Sequence, residues 1–222
     1  MPRPTFFNLP EDKRAHVVEA LKAEFAARPY ARASVDRVIA AAGVSKGSFY
    51  QYFENKEDAY AHLVRELMGA RVGPVGDPVP EAPFEEVLTA VVRGSRDFHL
   101  RDPLGWAVLA RALADDAPPV LESDRSVSDG VHRWAVAAIA AGQASGELRG
   151  DVDADTAAWM IERTLLGVPH YVMTRFNVDP ERTAADGSAF DRPEIARVAD
   201  DVVALLAAAL KTPRARGGEN RA

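Results

Sequence analysis

The chain has 222 residues and is 47% hydrophobic, enough for one domain or two small ones with a packed core and too apolar for a disordered protein. Without a cysteine it excludes a disulfide framework and a thiolate metal site, and it suits a reducing compartment. The net charge of −6 is unfavourable for a nucleic-acid binder, yet it is uneven: residues 1–72 carry 11 basic against 9 acidic side chains and the remainder 16 against 24, and what meets phosphates is local positive charge.

The N-terminus has no apolar signal-peptide core, and the longest apolar runs, at 134–141 and 202–210, fall short of the ~18 residues a membrane span needs. A soluble cytoplasmic protein with no membrane partner is expected. Val17, Leu21 and Phe25 recur at helical spacing and predict a first helix over 11–27, between Pro10 and Pro29. Val35, Val38, Ile39 and Ala42 predict a second, with Ser34 as N-cap and Gly43 in the left-handed conformation that ends it. Ser45 caps a third helix of two turns, 46–53. Asn55 caps a fourth, with Asp58 completing a partial capping box, and its apolar residues Tyr60, Leu63, Val64 and Leu67 carry it to about residue 72.

Four prolines make 73–83 a linker. Further helices are predicted over 84–100, from Pro103 through Trp106, Leu109 and Leu113, over 120–145 after the break at Pro118-Pro119, and from Asp153 or Asp155 to 176. An acidic loop spans 177–192. The last helix starts near Pro193, a good first-turn residue, and the chain from 212 is polar and reads as a tail. No strand pattern, repeat or phosphate-cradling glycine loop is present, so the fold class is all-α.

The third helix is the informative one. At ~100° per residue Phe49 and Phe53 share a face and belong to the core, while Gly47 and Gln51 point the other way, flanked by Ser48, Tyr50 and Tyr52. A short amphipathic helix with a polar outer face is ordinary. Three features favour a helix that reads DNA. It is too short to be stable alone; Gly47 weakens it by about 1 kcal/mol relative to Ala, which suits close approach of another backbone; and two tyrosines and a lysine stand on its predicted surface.

Phe25, Tyr30, Val35 and Ile39, the run from Ala42 to Phe53, and Asn55-Lys56-Glu57 resemble the N-terminal domain of tetracycline-repressor-type (TetR family) regulators, a match over about residues 11–65. Arg37, Val38 and Gln51 depart from that pattern. The resemblance implies a helix-turn-helix DNA-binding domain over 1–71, including the fourth helix as the link, then a helical ligand-binding and dimerisation domain over 72–211 and a flexible tail over 212–222. It also implies double-stranded DNA with an inverted-repeat operator, a homodimer built on the last two helices and an unidentified small-molecule effector. No cofactor or metal is implied.

On that resemblance Lys46, Gly47 and Ser48 approach bases and backbone, Gln51 offers its amide to an adenine edge, and Tyr50 presses on a thymine methyl or donates to a phosphate. Tyr52 and Lys56 hold phosphates, Lys56 at the positive end of the fourth helix. Ser34 and Ser45 serve the same backbone, although each is equally well explained as a cap. Candidates for the effector site are Phe98, Trp106, Trp134, Trp159, Met160, His170 and Tyr171, each of which also suits a core position. Pro169 removes a helical hydrogen bond beside His170, and Thr164 is the candidate to satisfy the freed carbonyl.

Two other classes compete. A helical adaptor would bind protein through the third helix. An enzyme is disfavoured: His62 and Glu66 lie one turn apart without a second ligand pair, no Glu-x-x-His motif recurs, and no nucleophile has a recognisable setting.

Overall fold

The computed structural model describes residues 2–72, 82–112, 117–120, 125–179, 182–183 and 192–212, without the side chains of 125–129. Most of the expected proline-rich linker, the greater part of the acidic loop, and the tail beyond residue 212 lie outside the described residues, as do Leu113 and the start of the long middle helix after Val120. Among the described residues there are ten α-helices and no strand, only an isolated bridge between Leu148 and Lys211. None of these helices is long and apolar enough to cross a membrane.

The helices are α1 (Pro4–Phe7), α2 (Glu11–Ala27), α3 (Val35–Ala42), α4 (Lys46–Tyr52), α5 (Lys56–Val72), α6 (Phe84–Arg101), α7 (Pro103–Arg111), α8 (Arg125–Ala144), α9 (Ala154–Phe176) and α10 (Pro193–Leu210), with a 3₁₀ turn at Tyr30–Arg32. Two of these elements were not expected, α1 and the 3₁₀ turn, so the predicted reading helix is α4.

Local chemistry accounts for most boundaries. Glu11 and Asp12 occupy the positive first turn of α2. Gly43 ends α3 at φ 64°, a conformation that costs a glycine little. The Ser45 hydroxyl accepts from the Ser48 N–H at 3.0 Å. Asn55 Oδ1 accepts from Asp58 N–H at 2.9 Å while Asp58 Oδ2 accepts from Glu54 N–H at 3.1 Å. Asp153, rather than Asp155, caps α9 through the Thr156 N–H at 2.9 Å.

Ser34 departs from expectation. It stands at the N-cap of α3, but its side chain makes no cap bond. Its N–H instead donates to Glu24 Oε1 at 2.8 Å. Glu24, buried on α2, also accepts from Arg37 on α3, with Nη2–Oε1 at 2.6 Å. Burial pushes this carboxyl up, and the bonds from Arg37 and Ser34 outweigh that and hold it below the usual range. The unusual Arg37 thus fastens α3 to α2.

Two cores form. The first joins Val17, Leu21 and Phe25 with Phe49, Phe53, Tyr60, Leu63 and Val64, and continues into Phe98 and residues 106–110 of α6 and α7. Salt bridge Lys22–Asp102 at 2.7 Å and the bond from Arg111 Nε to Ala26 O at 2.9 Å dock α7 on α2. Packing therefore runs across the expected boundary at 71/72. The second core lies between α6, α8, α9 and α10, around Leu88, Ile139, Ile161 and Leu206.

Candidate functional site

The outer face of α4 is built by what its inner face buries. Phe49 and Phe53 are fully enclosed in the first core, which fixes the helix beside α1 and α3. Lys46, Gly47 and Gln51 are then exposed with Ser45, Tyr50 is 41% exposed, and Ser48 is half-buried. A Cβ built on Gly47 would meet only Ser45 Oγ at 3.8 Å, an ordinary contact, so nothing inside the chain requires a glycine there. Lys46 Nζ rests 3.1 Å from Asp36 Oδ1 in a pair exposed on both sides, which water screens and a phosphate can replace. That carboxylate raises the Lys46 pKa, so the ammonium stays charged.

Two of the expected contact residues, Tyr52 and Lys56, are instead engaged within the chain. Tyr52 is only 5% exposed, because Phe6 of α1 covers its ring at 6.2 Å between centroids. Lys56 is half-buried, and its ammonium donates to Tyr30 O at 2.8 Å and Ala33 O at 3.2 Å and lies 4.2 Å from the centroid of the Tyr30 ring. It fastens α5 to the turn before α3. Ser34 is half-buried at the edge of this face.

α1 is a feature that sequence reasoning missed. Arg3 N–H donates to Tyr52 O at 2.8 Å and Thr5 Oγ1 to Gln51 O, which supplies donors to the last carbonyls of α4. Phe6 packs against Phe53 at 4.9 Å and His62 at 5.1 Å. The available signal was Pro4 at a helix start followed by two phenylalanines.

Beside the C-terminal half of α5 lies a cavity of about 610 Å³ between α5, α6, α7, α8, α9 and α10. Of the seven effector candidates, Trp106 and Trp134 line it. Pro169 lines it as well. Phe98 is buried in the first core instead. Met160 and His170 are half-buried away from the cavity wall. Trp159, 57% exposed, and Tyr171, 50% exposed, face outward with Leu205 of α10, 70% exposed. Their size and their place on the middle helices do not say which neighbour each one faces.

The cavity wall is mostly apolar, with Leu88, Val92, Val172 and Val203 among its residues, and it carries charges that sequence reasoning did not single out: Arg65, Arg71, Arg93 and Arg96 from α5 and α6, and Glu85, Glu162 and Asp200. Glu85 pairs with Lys211 at 2.6 Å and Glu162 with His132 at 3.0 Å. The carbonyl of Leu165, left without its helical donor by Pro169, is approached by Arg71 Nη2 at 3.5 Å. Thr164, expected to serve it, donates to Met160 O at 2.8 Å instead.

The chain matches the model of the tetR family of bacterial regulatory proteins over residues 17–63. It is 30% identical to a TetR family transcriptional regulator from Chloroflexus aurantiacus J-10-FL, whose crystal structure aligns with a TM-score of 0.68 over 96% of this chain and 100% of the other. The fatty acid metabolism regulator protein of Bacillus subtilis (strain 168) is 25% identical over 161 residues, 69% of this chain and 79% of that protein. The crystal structure of the transcriptional regulator FadR from Bacillus subtilis in complex with stearoyl-CoA shares the fold, at 22% identity and a TM-score of 0.66 over 87% of this chain and 97% of the other.

Proposed function

The chain belongs to the tetR family of bacterial regulatory proteins, and from that membership we propose that it is a cytoplasmic repressor released from an inverted-repeat operator when a small apolar or amphipathic effector fills its cavity. The observation that carries this reading is the outer face of α4, where Lys46, Gly47, Tyr50 and Gln51 stand exposed on a helix whose other face is locked into the core. Gln51 and Tyr50 read base edges, Lys46 and Gly47 meet the backbone, and Ser34, Ser45 and Ser48 supply hydroxyls to phosphates.

A two-fold dimer supports an inverted-repeat site, because it offers two reading helices to two half-sites. Trp159, Tyr171 and Leu205 form an exposed apolar set on α9 and α10, and the homodimer is proposed to bury it. For the effector, the cavity volume falls in the ~300–1,000 Å³ range of small-molecule sites, and the fatty acid metabolism regulator among the relatives favours a ligand with a long apolar chain. α5 links cavity and reading head in one rigid element, since Val64 and Met68 line the cavity while Lys56 is fixed to the turn before α3. Hundredfold release needs about 2.8 kcal/mol of differential effector binding between the two dimer states, within the ordinary range of coupling energies.

Selection from random double-stranded DNA tests the reading. Recovery of an inverted repeat, bound with steep salt dependence, is the expected result. A protein that recovers no sequence and shows no salt-sensitive shift is not a regulator of this kind, and the helical adaptor takes its place.

A further inference from the structure

Arg71 ends the linking helix with its side chain in the cavity wall. The residue as a whole is half-buried because the cavity opens beside it, while protein surrounds the guanidinium deeply enough that burial draws its pKa down to about 10. Its hydrogen-bond partners are neutral: Nε donates to Ser95 Oγ at 3.0 Å and Nη2 makes the long contact to Leu165 O. No carboxylate among the described residues pairs with it. The acids on the cavity wall are Glu85, held by Lys211, Glu162, held by His132, and Asp200 on α10, whereas Arg65, Arg93 and Arg96 add positive charge on the same two helices as Arg71 and Ser95. A guanidinium that borders the cavity with only neutral groups as partners lacks the counter-charge that partly buried cations ordinarily have, and its planar fork suits an anionic oxygen pair.

We propose that Arg71 is the anion-binding residue of the cavity and takes the carboxylate or phosphate head of an amphipathic effector whose apolar chain lies along Leu88, Val92, Trp106, Val172 and Val203. This rests on the cavity being the effector site, as the proposed function has it. Engaging the head draws Arg71 from Leu165, so the same contact that selects the ligand changes what joins α5 to α9.

The test uses the full chain and three probes of one chain length: dodecanoate, dodecyl phosphate and methyl dodecanoate, titrated through tryptophan fluorescence, to which Trp106 and Trp134 report from the cavity wall. The wild type is expected to bind at least one anion roughly tenfold or more tighter than the ester, and the tighter anion identifies the head. Arg71→Gln is expected to lose that gap while keeping the ester affinity, and Arg71→Lys to restore part of it. A wild type that binds no anion, or binds acid, phosphate and ester alike, overturns the proposal, as does a full gap in Arg71→Gln. Should Arg71→Gln fail to bind the ester, the wild-type gap and its partial retention in Arg71→Lys decide; a lysine variant with no gap and intact ester binding supports a role for the fork, and an undiminished gap counts against it. Loss of the operator-binding reading leaves this readout intact, since DNA is absent from it.

Discussion

Lys56 holds its ammonium 2.8 Å from the carbonyl oxygen of Tyr30 and 4.2 Å from the centroid of that residue's ring. A lysine at the start of the helix after the reading helix is placed to hold a phosphate by sequence logic, and here it fastens two elements of the fold. The exposed lysine of the reading head is Lys46.

The two lysines therefore separate in a salt titration. Lys46→Gln is expected to lower the slope of log affinity against log salt by about one, the release of roughly one phosphate contact, with thermal stability unchanged. Lys56→Gln is expected to leave the slope alone and lower the melting temperature. The reverse pattern, measured by fluorescence anisotropy on the selected operator, returns Lys56 to the DNA.

Gln51 and Tyr52 are neighbours with opposite fates. Gln51→Ala is expected to cost about 1–3 kcal/mol of discrimination at one base pair of each half-site. Tyr52→Phe, under the cover of Phe6, is expected to leave both affinity and specificity as they are. Relaxed specificity in Tyr52→Phe contradicts the burial argument.

Phe6 is buried by Tyr52, Phe53 and His62. Phe6→Ala is expected to destabilise the protein by about 3–5 kcal/mol, the usual range for truncating an enclosed phenylalanine, and to weaken DNA binding through the loosened end of α4. Urea unfolding checks it; a loss under about 1 kcal/mol means that α1 is a passive cover.

His132 joins α8 to α9, with Nε2 2.9 Å from Asp155 and Nδ1 3.0 Å from Glu162. The bond to Asp155 first, and that to Glu162 after the opposing effect of burial, raise its pKa above the ordinary value. Burial meanwhile pushes Glu162 up more than His132 pulls it down. A raised folded-state pKa means that the histidine's stabilisation is complete below the unfolded value of about 6.5 and is lost as the pH rises through the folded one. His132→Gln should accordingly lower the melting temperature at about pH 5.5 and have little effect at about pH 9. Equal losses at both ends contradict the charged pairing.

Trp159 and Leu205 lie on the outside of α9 and α10. The double variant Trp159→Glu, Leu205→Glu is expected to sediment as a monomer and to lose operator binding while keeping its helical content. A dimeric variant places the interface elsewhere.

Much of the molecule was legible because much of it is short-range physics. The stripe Val17, Leu21 and Phe25 set α2, a left-handed Gly43 ended α3, Asn55 with Asp58 opened α5, and the spacing of Phe49 and Phe53 fixed which side of α4 is exposed. A period shows that a helix has an apolar side, and capping shows where it begins. Neither says what stands against a given side. Tyr52 went inward because Phe6, 46 positions earlier, covers it. Trp134 reached the cavity while Trp159, on the next helix, faced out. Arg71 became the charge beside the proline-freed carbonyl only once α5, α6 and α9 were packed together. Pattern along the chain set most of the helices, most of their ends and the polar outer face of α4, since each depends on residues within a few turns of one another. The tertiary structure decided which side chains meet across the bundle and where space is left between them, since a cavity and a buried charge exist only relative to neighbours that the chain brings from far away.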